Sequence, residues 1–291
     1  KRAMALEAAE QICNMMVLTP YPGYEGEGFS MPCRNVLPKP LQDPHPKLWM
    51  ACTNRDTIKV AAQNGIGALA FSFIDPEEAL HWSKIYYDTI KSDECVPLGW
   101  NVNANIAIVS AFSMHEDRAE AIRRGQDNFE FFRYSQQRLV AHDFVPGYSD
   151  MWSDFVAKRG DASDQLIQAA LERSEYDGAG IGTPDDMLRH LKSFQDCGVD
   201  QVIMLQQAGN NSHQNICESL ELFAESVMPE FVKDVEEREA AKAAELAPYI
   251  EAALARKEYM EPLAEEDVPI VRASVKVAGA DNRPSRQDAA D

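Results

Sequence analysis

The residues best suited to chemistry lie in Trp49-Met50-Ala51-Cys52-Thr53-Asn54-Arg55-Asp56-Thr57. An apolar run there ends in small and polar residues, and a helical pattern begins at once. In a parallel βα protein, ligands bind at the carboxyl ends of strands. At such a junction the Thr53 hydroxyl, the backbone N–H groups of 54–57 and the Arg55 guanidinium would make an anion cradle at a positive helix end. An ordinary N-cap beside a solvated arginine is the alternative. A second candidate is Gln206-Gln207-Ala208-Gly209-Asn210-Asn211-Ser212-His213, a Gly- and Asn-containing loop that can approach a ligand closely. His213 is a weak candidate for a proton donor and otherwise a cap for the following helix.

Other motifs carry less. Asn101, Asn103 and Asn105 alternate and would share one strand face, where a ligand-facing role is open to them. Cys52 has no histidine near it in sequence to act as its base. Gly178-Ala179-Gly180-Ile181-Gly182 imitates a dinucleotide fingerprint, but no strand is expected before it and its spacing is wrong. The run Phe129-Glu130-Phe131-Phe132-Arg133-Tyr134 reads as core. Six cysteines form no CxxC pair, and six histidines form no HxH or HExxH. No zinc site is suggested, and the thiols read as reduced and cytosolic.

These candidates must be positioned by the surrounding elements. A helical period runs from the first residues to Val17 with no capping residue before it. Residues 19–46 are rich in Pro, Gly and aromatics and read as an ordered loop with a short hairpin. Strands are expected at 48–51, 68–73, 98–109 and 201–205, the last of them buried. Helices are expected at 57–64, from Asp75-Pro76-Glu77-Glu78 to Lys91, at 115–142, from Thr183-Pro184 to Cys197-Gly198, and at 212–227. Short strands alternating with helices mean parallel βα units. About four such units make half of a (β/α)8 barrel, with a doubly wound open sheet as the alternative. Three segments follow: 1–229 as the partial barrel, 230–259 as a surface helix kinked at Pro248, and 260–291 as a flexible tail.

The 291 residues carry 28 Lys+Arg against 47 Asp+Glu, a net charge of -19. That field repels phosphate backbones and anionic lipid, so general nucleic-acid or membrane binding is not expected. No apolar run has the length of a membrane span, and a cytoplasmic protein is expected.

Several stretches together resemble the bacterial luciferase-like, flavin-dependent monooxygenases. They are GYEGEGF, the run MPCRNVLPKPLQDPHPKLWMACTNRDTIKVAAQNGIGALAFSF, and GTPDDMLRHLKSFQDCGVDQVIMLQQAGNN followed by LELFAESVMPEF. The resemblance covers roughly residues 1–232. It implies a (β/α)8 barrel, of which this chain holds the C-terminal part with a helical extension. It also implies reduced FMN supplied by a flavin reductase, with O2, a small apolar substrate and a dimeric full-length form. A deazaflavin oxidoreductase on the same fold and a non-catalytic partner subunit are the alternatives. By position, the resemblance puts the flavin phosphate on Ala51, Cys52, Thr53, Asn54 and Arg55, with Gln206, Ala208, Gly209 and His213 at the mouth after the last strand. Cys52 and Arg55 depart from the small residues and serines common there. The family's earlier βα units have no counterpart in this sequence, so a fragment is expected, a reduced relative being the alternative.

Residues 273–291 contain little that can form a core. Their deletion is expected to leave the melting temperature unchanged, which a thermal denaturation scan checks; a fall of several degrees would contradict the reading.

Overall fold

The computed structural model describes residues 1–70, 73–160, 180–206 and 208–270. The expected tail at 273–291, Gln207, Gly178 and Ala179 lie outside the described residues. The chain divides into two compact units. One comprises Lys1–Ala68, Ile85–Ala104 and the chain from Leu246 on; the other comprises Leu69–Lys84 and Asn105–Glu245.

The first unit opens with α1 (Arg2–Val17), whose N-cap Lys1 makes no side-chain capping bond. The Pro- and Gly-rich stretch contains the expected hairpin, β1 (Tyr21–Glu25) antiparallel to β2 (Ser30–Arg34). Glu7 on α1 holds its turn, accepting from Tyr24 Oη at 2.8 Å and from the N–H groups of Glu27 and Gly28 at 3.0 and 3.2 Å. Then come β3 (Trp49–Cys52), α2 (Arg55–Gln63) and β4 (Gly67–Ala70), with β3 and β4 adjacent in the sheet. Residues 71 and 72 of the expected strand are outside the described residues. Ile58, Ala61 and Ala62 form the buried stripe of α2, and Cys13, Ile66 and Leu98 centre a core cluster.

The segment from 97 corrects the sequence expectation. Only Ile106–Ala111 is a strand, so the three asparagines do not share a strand face. Asn103 is buried and donates through Nδ2 to Leu48 O at 2.8 Å. Asn101 donates to His45 O at 2.8 Å. His45, also buried, accepts from Trp100 N at Nε2, so its Nδ1 carries the proton and donates to Pro46 O, both at 2.8 Å. The Tyr86 hydroxyl is shared between Ile66 O at 2.9 Å and Asn103 O at 2.7 Å. Buried backbone carbonyls need partners, and here the alternating amides supply them. Gly67 is forced by the same packing: a Cβ would lie 2.3 Å from Asn103 Nδ2 and 2.7 Å from the Trp49 ring.

In the second unit β5 (Ile106–Ala111) is buried throughout and pairs in parallel with β8 (Gln201–Leu205), Ile108 opposite Val202. Asp200 sets that register. Its Oδ2 accepts from Ile106 N at 2.7 Å, its own N–H donates to Ile106 O at 3.0 Å, and Lys242 Nζ bridges its Oδ1 (2.5 Å) to Asn105 Oδ1 (2.8 Å). The expectation that β8 is buried fails: Gln201 and Ile203 are exposed, because only the Val202 and Met204 face packs on the core. Two short strands escaped the sequence reading, β6 (Ser113–Met114) and β7 (Ile181–Gly182), which pair in parallel.

The helices of this sequence region are α3 (Pro76–Ile90), α4 (Arg118–Ala141), α5 (Met151–Arg159), α6 (Pro184–Asp196), α7 (His213–Ser226), α8 (Met228–Val232) and α9 (Val235–Ala255, with Pro248 inside it). Asp75 caps α3 as expected, accepting from Glu78 N at 2.8 Å. The long helix begins at Arg118, three residues later than expected, because Asp117 is its cap. Helix α5 was not anticipated. The Phe129–Tyr134 run, expected as core, is only half-buried, with Arg133 exposed: Phe129 and Phe132 stack edge-on to Phe73, and Phe131 and Tyr134 meet Phe155. Helix α6 buries Met187, His190, Leu191 and Phe194, one helical stripe. His190 Nε2 lies 2.8 Å from Ser110 Oγ, and burial pushes its pKa down to about 4. Residues 265–267, within the expected tail, form a 3-10 turn.

Thr183 and Asp186 form the capping box of α6. Asp186 is fully buried, and Arg118 donates to it from Nε and Nη2 at 2.8 and 2.5 Å, Thr183 from N and Oγ1 at 3.0 Å each. Burial acts to raise its pKa, but these donors outweigh it and hold the carboxyl below the usual range. A depressed folded value stabilises above the unfolded pKa of about 3.9 and is lost as pH falls through the folded value. Asp186→Asn is expected to cost about 3 kcal/mol at neutral pH and to flatten the acid limb of stability below pH about 4, both read by urea denaturation against pH.

Candidate functional site

The predicted site residues fall into two groups, one in each unit: Ala51 to Arg55 in the first, Gln206 to His213 in the second. Each is built by its own strand-to-helix junction.

At the β3–α2 junction, Ala51, Thr53, Asn54 and Arg55 are exposed, while Cys52 is buried and donates its thiol to Met50 O at 3.3 Å. The helix starts at Arg55, two residues earlier than expected, and its cap is Asn54. Asn54 Oδ1 accepts from Thr57 N at 3.0 Å; Thr57 Oγ1 lies 3.1 Å from Thr53 N and 3.3 Å from Asn54 N. Side chains of the helix start already meet part of the expected cradle. Of the N–H groups at 54–57, those of Asn54 and Thr57 are already engaged by the capping box, and Asp56 adds a negative charge in the first turn. Arg55, the first residue of the helix, is exposed at the positive helix end. Thr57 as the reciprocal partner was missed, although Asn-x-x-Thr at a helix start was legible as a cap.

The loop after β8 is held from α4. Asn128 Oδ1 accepts from Asn210 N at 2.8 Å, while Asn128 Nδ2 donates to Arg124 O at 2.7 Å. Gly209 sits at φ +59, and a Cβ there would lie 2.5 Å from Asn128 Oδ1 and 2.7 Å from the Trp152 ring. Ala208 is buried. Among the described residues Gln206 Oε1 and Asn211 Oδ1 are buried acceptors without a hydrogen-bond partner, and both residues line a small cavity with Asn128 and Phe129. Such acceptors suit a donor group. Ser212, not His213, caps α7, accepting from Asn215 N at 3.2 Å. His213 is exposed in the first turn, and its Nε2 is 3.5 Å from Cys217 Sγ. That pairing, four residues along one helix face, was also legible in the sequence and was missed. Among the described residues no group of acidic, His and Cys side chains could hold a metal ion, and no helix is long and apolar enough to cross a membrane.

The fold is α/β with a parallel sheet, the fold of luciferase-like TIM-barrel enzymes. Against solved structures the chain matches monooxygenase RslO1 from Streptomyces bottropensis at a TM-score of 0.50 and 18% identity, over 79% of this chain and 60% of that one. It matches the coenzyme F420 dependent tetrahydromethanopterin reductase from Methanopyrus kandleri at 0.50 and 19%, over 77% and 62%. The chain thus spans about three fifths of the length of these structures. No family model matches, and no curated protein matches.

Gly209→Ala is expected to destabilise by about 1–3 kcal/mol, since it meets both the left-handed backbone and the Asn128 contact. Chemical denaturation measures the loss; an unchanged midpoint would show that the loop relaxes freely.

Proposed function

We propose that this chain is part of a flavin-dependent monooxygenase that uses reduced FMN and O2 to oxygenate a small apolar substrate. The observation that carries the reading is the β3–α2 junction: the segment that resembles the family's phosphate loop is an exposed strand-to-helix turn presenting Arg55. The fold likeness to a monooxygenase supports it.

The residues fit the group in part. Arg55, with Thr53 and Asn54 beside it, would hold the flavin phosphate, the guanidinium carrying most of the interaction because the capping box has taken neighbouring N–H groups. Ala51 and Cys52 would shape the strand end. In the other unit, Gln206, Ala208 and Gly209 lie on the loop after β8 and His213 opens the next helix, and that loop would have a ligand-facing role of its own. Bound reduced flavin would supply the electrons that activate oxygen; the protein's part is to orient it and keep water out. A separate flavin reductase, a dimeric complete form and a cytoplasmic setting belong to the same proposal.

A pocket for the flavin ring needs walls beyond those of a partial barrel. The chain alone is therefore expected to bind FMN poorly and not to form oxygenated product, and addition of the barrel's remaining βα units is expected to bring tight binding and turnover. In that complete protein Arg55→Ala should weaken FMN binding by about 1–3 kcal/mol, the range for a hydrogen bond to a charged group, with folding intact by circular dichroism. Flavin fluorescence titration reads the change. Unchanged affinity would remove Arg55 from the site. Turnover with reduced deazaflavin and none with reduced FMN would replace this reading by an oxidoreductase without oxygen chemistry.

A further inference from the structure

The second unit holds a cavity of about 440 Å³ that the candidate site does not use. It lies beside the start of β8, from Gly198 to Met204, whereas the candidate loop follows the strand's other end at Gln206. Four elements of this one unit build its apolar wall: β8 gives Val202 and Met204, α7 gives Phe223, α8 gives Met228 and Phe231, and α9 gives Val235. Met228 and Val235 are exposed. Exposed apolar side chains gathered around a concave space mark a binding surface. The charged groups of the lining are two of each sign, Arg238 and Lys242 against Asp200 and Glu239. Lys242 Nζ is bound to Asp200 Oδ1 at 2.5 Å. Arg238 donates from Nη1 to Asp234 and from Nη2 to Phe231 O at 3.0 Å, and among the described residues its Nε–H has no acceptor.

We propose that this cavity binds an uncharged molecule with an apolar chain and one oxygen acceptor, the chemistry of a fatty alcohol. Its volume falls in the range of about 300–1,000 Å³ typical of small-molecule sites. Burial of the chain against Val202, Met204, Phe223, Phe231 and Val235 supplies the attraction. The balance of charge in the lining selects against ions. A carboxylate head would meet Asp200 and Glu239, an ammonium head would meet Arg238 and Lys242, and the Lys242–Asp200 pair would have to open to neutralise either. A hydroxyl asks for neither. Its oxygen accepts from Arg238 Nε–H and leaves the Asp234 bond intact. The inference stands whether or not the flavin reading holds, because no residue of the β3–α2 junction or of the Gln206 loop takes part.

The test is NMR of the full chain with methyl-labelled methionine, titrated with decanol. The methyl signals of Met204 and Met228, assigned with Met204→Leu and Met228→Leu, are expected to shift saturably, while that of Met31 in the first unit stays in place. Decanoate and decylamine are expected to bind more weakly by about fivefold or more. Val235→Glu is expected to abolish the shift, and Arg238→Leu is expected to weaken decanol binding by about threefold or more, each with helix content unchanged by circular dichroism. Unshifted methionine signals, a charged ligand that binds as tightly as decanol, or unchanged affinity in either variant would overturn the proposal. So would a concentration-dependent dimer that Val235→Glu dissolves, which would give the face to a second copy. Loss of decanol binding on addition of the barrel's remaining βα units would give the face to those units and overturn it equally.

Discussion

Backbone carbonyls and N–H groups in the irregular stretches of this chain must find partners, and much of the architecture follows from how they do. In the first unit the answer is a set of amides and one imidazole. Asn103 reaches Leu48 O, Asn101 reaches His45 O, and His45 is held in a single tautomer between Trp100 N and Pro46 O. In the second unit the answer is a carboxylate, Asp200, which takes the first N–H of β5. These side chains are polar, yet their work is internal. Losing one would leave a buried group unpaired, a larger penalty than the bond's own net contribution.

The same constraint separates what was legible in the sequence from what was not. Helix α6 was legible because its signals are local: Thr183 at the cap, Pro184 in the first turn, two acids after it and a stripe every three or four residues. The hairpin between Tyr21 and Arg34 was legible from its glycines and aromatics. Residues 97–105 were not. Their alternation of apolar residues and asparagine imitates a half-buried strand, and only distant carbonyls at Leu48 and His45 decide otherwise. Strands as short as Ser113–Met114 carry no period at all. The apolar run of β8 gives its strand character but not what covers each face, and Ile203 is exposed as a result.

The candidate site divides in the same way. Arg55, Thr53 and Gln206 could be named because strand-to-helix junctions are visible as composition changes. Which N–H groups remain available could not, since that depends on the rotamer of Thr57, whose hydroxyl turns back onto Thr53 and Asn54. A helix end can be positive and still be largely occupied by its own cap, so charge alone overstates the strength of such a cradle.

Asp200 has a further bearing on the loop that begins at Gln206. By holding Ile106 from both its side chain and its backbone, it acts as the zero mark of a ruler laid along β8. Each residue inserted or deleted between that mark and Leu205 would displace the loop by about 3.3 Å and turn every later side chain to the opposite face. The graduations of that ruler are therefore fixed in whole pairs. Drift in chain length is tolerable only after the glycine at 209, where the backbone leaves the scale.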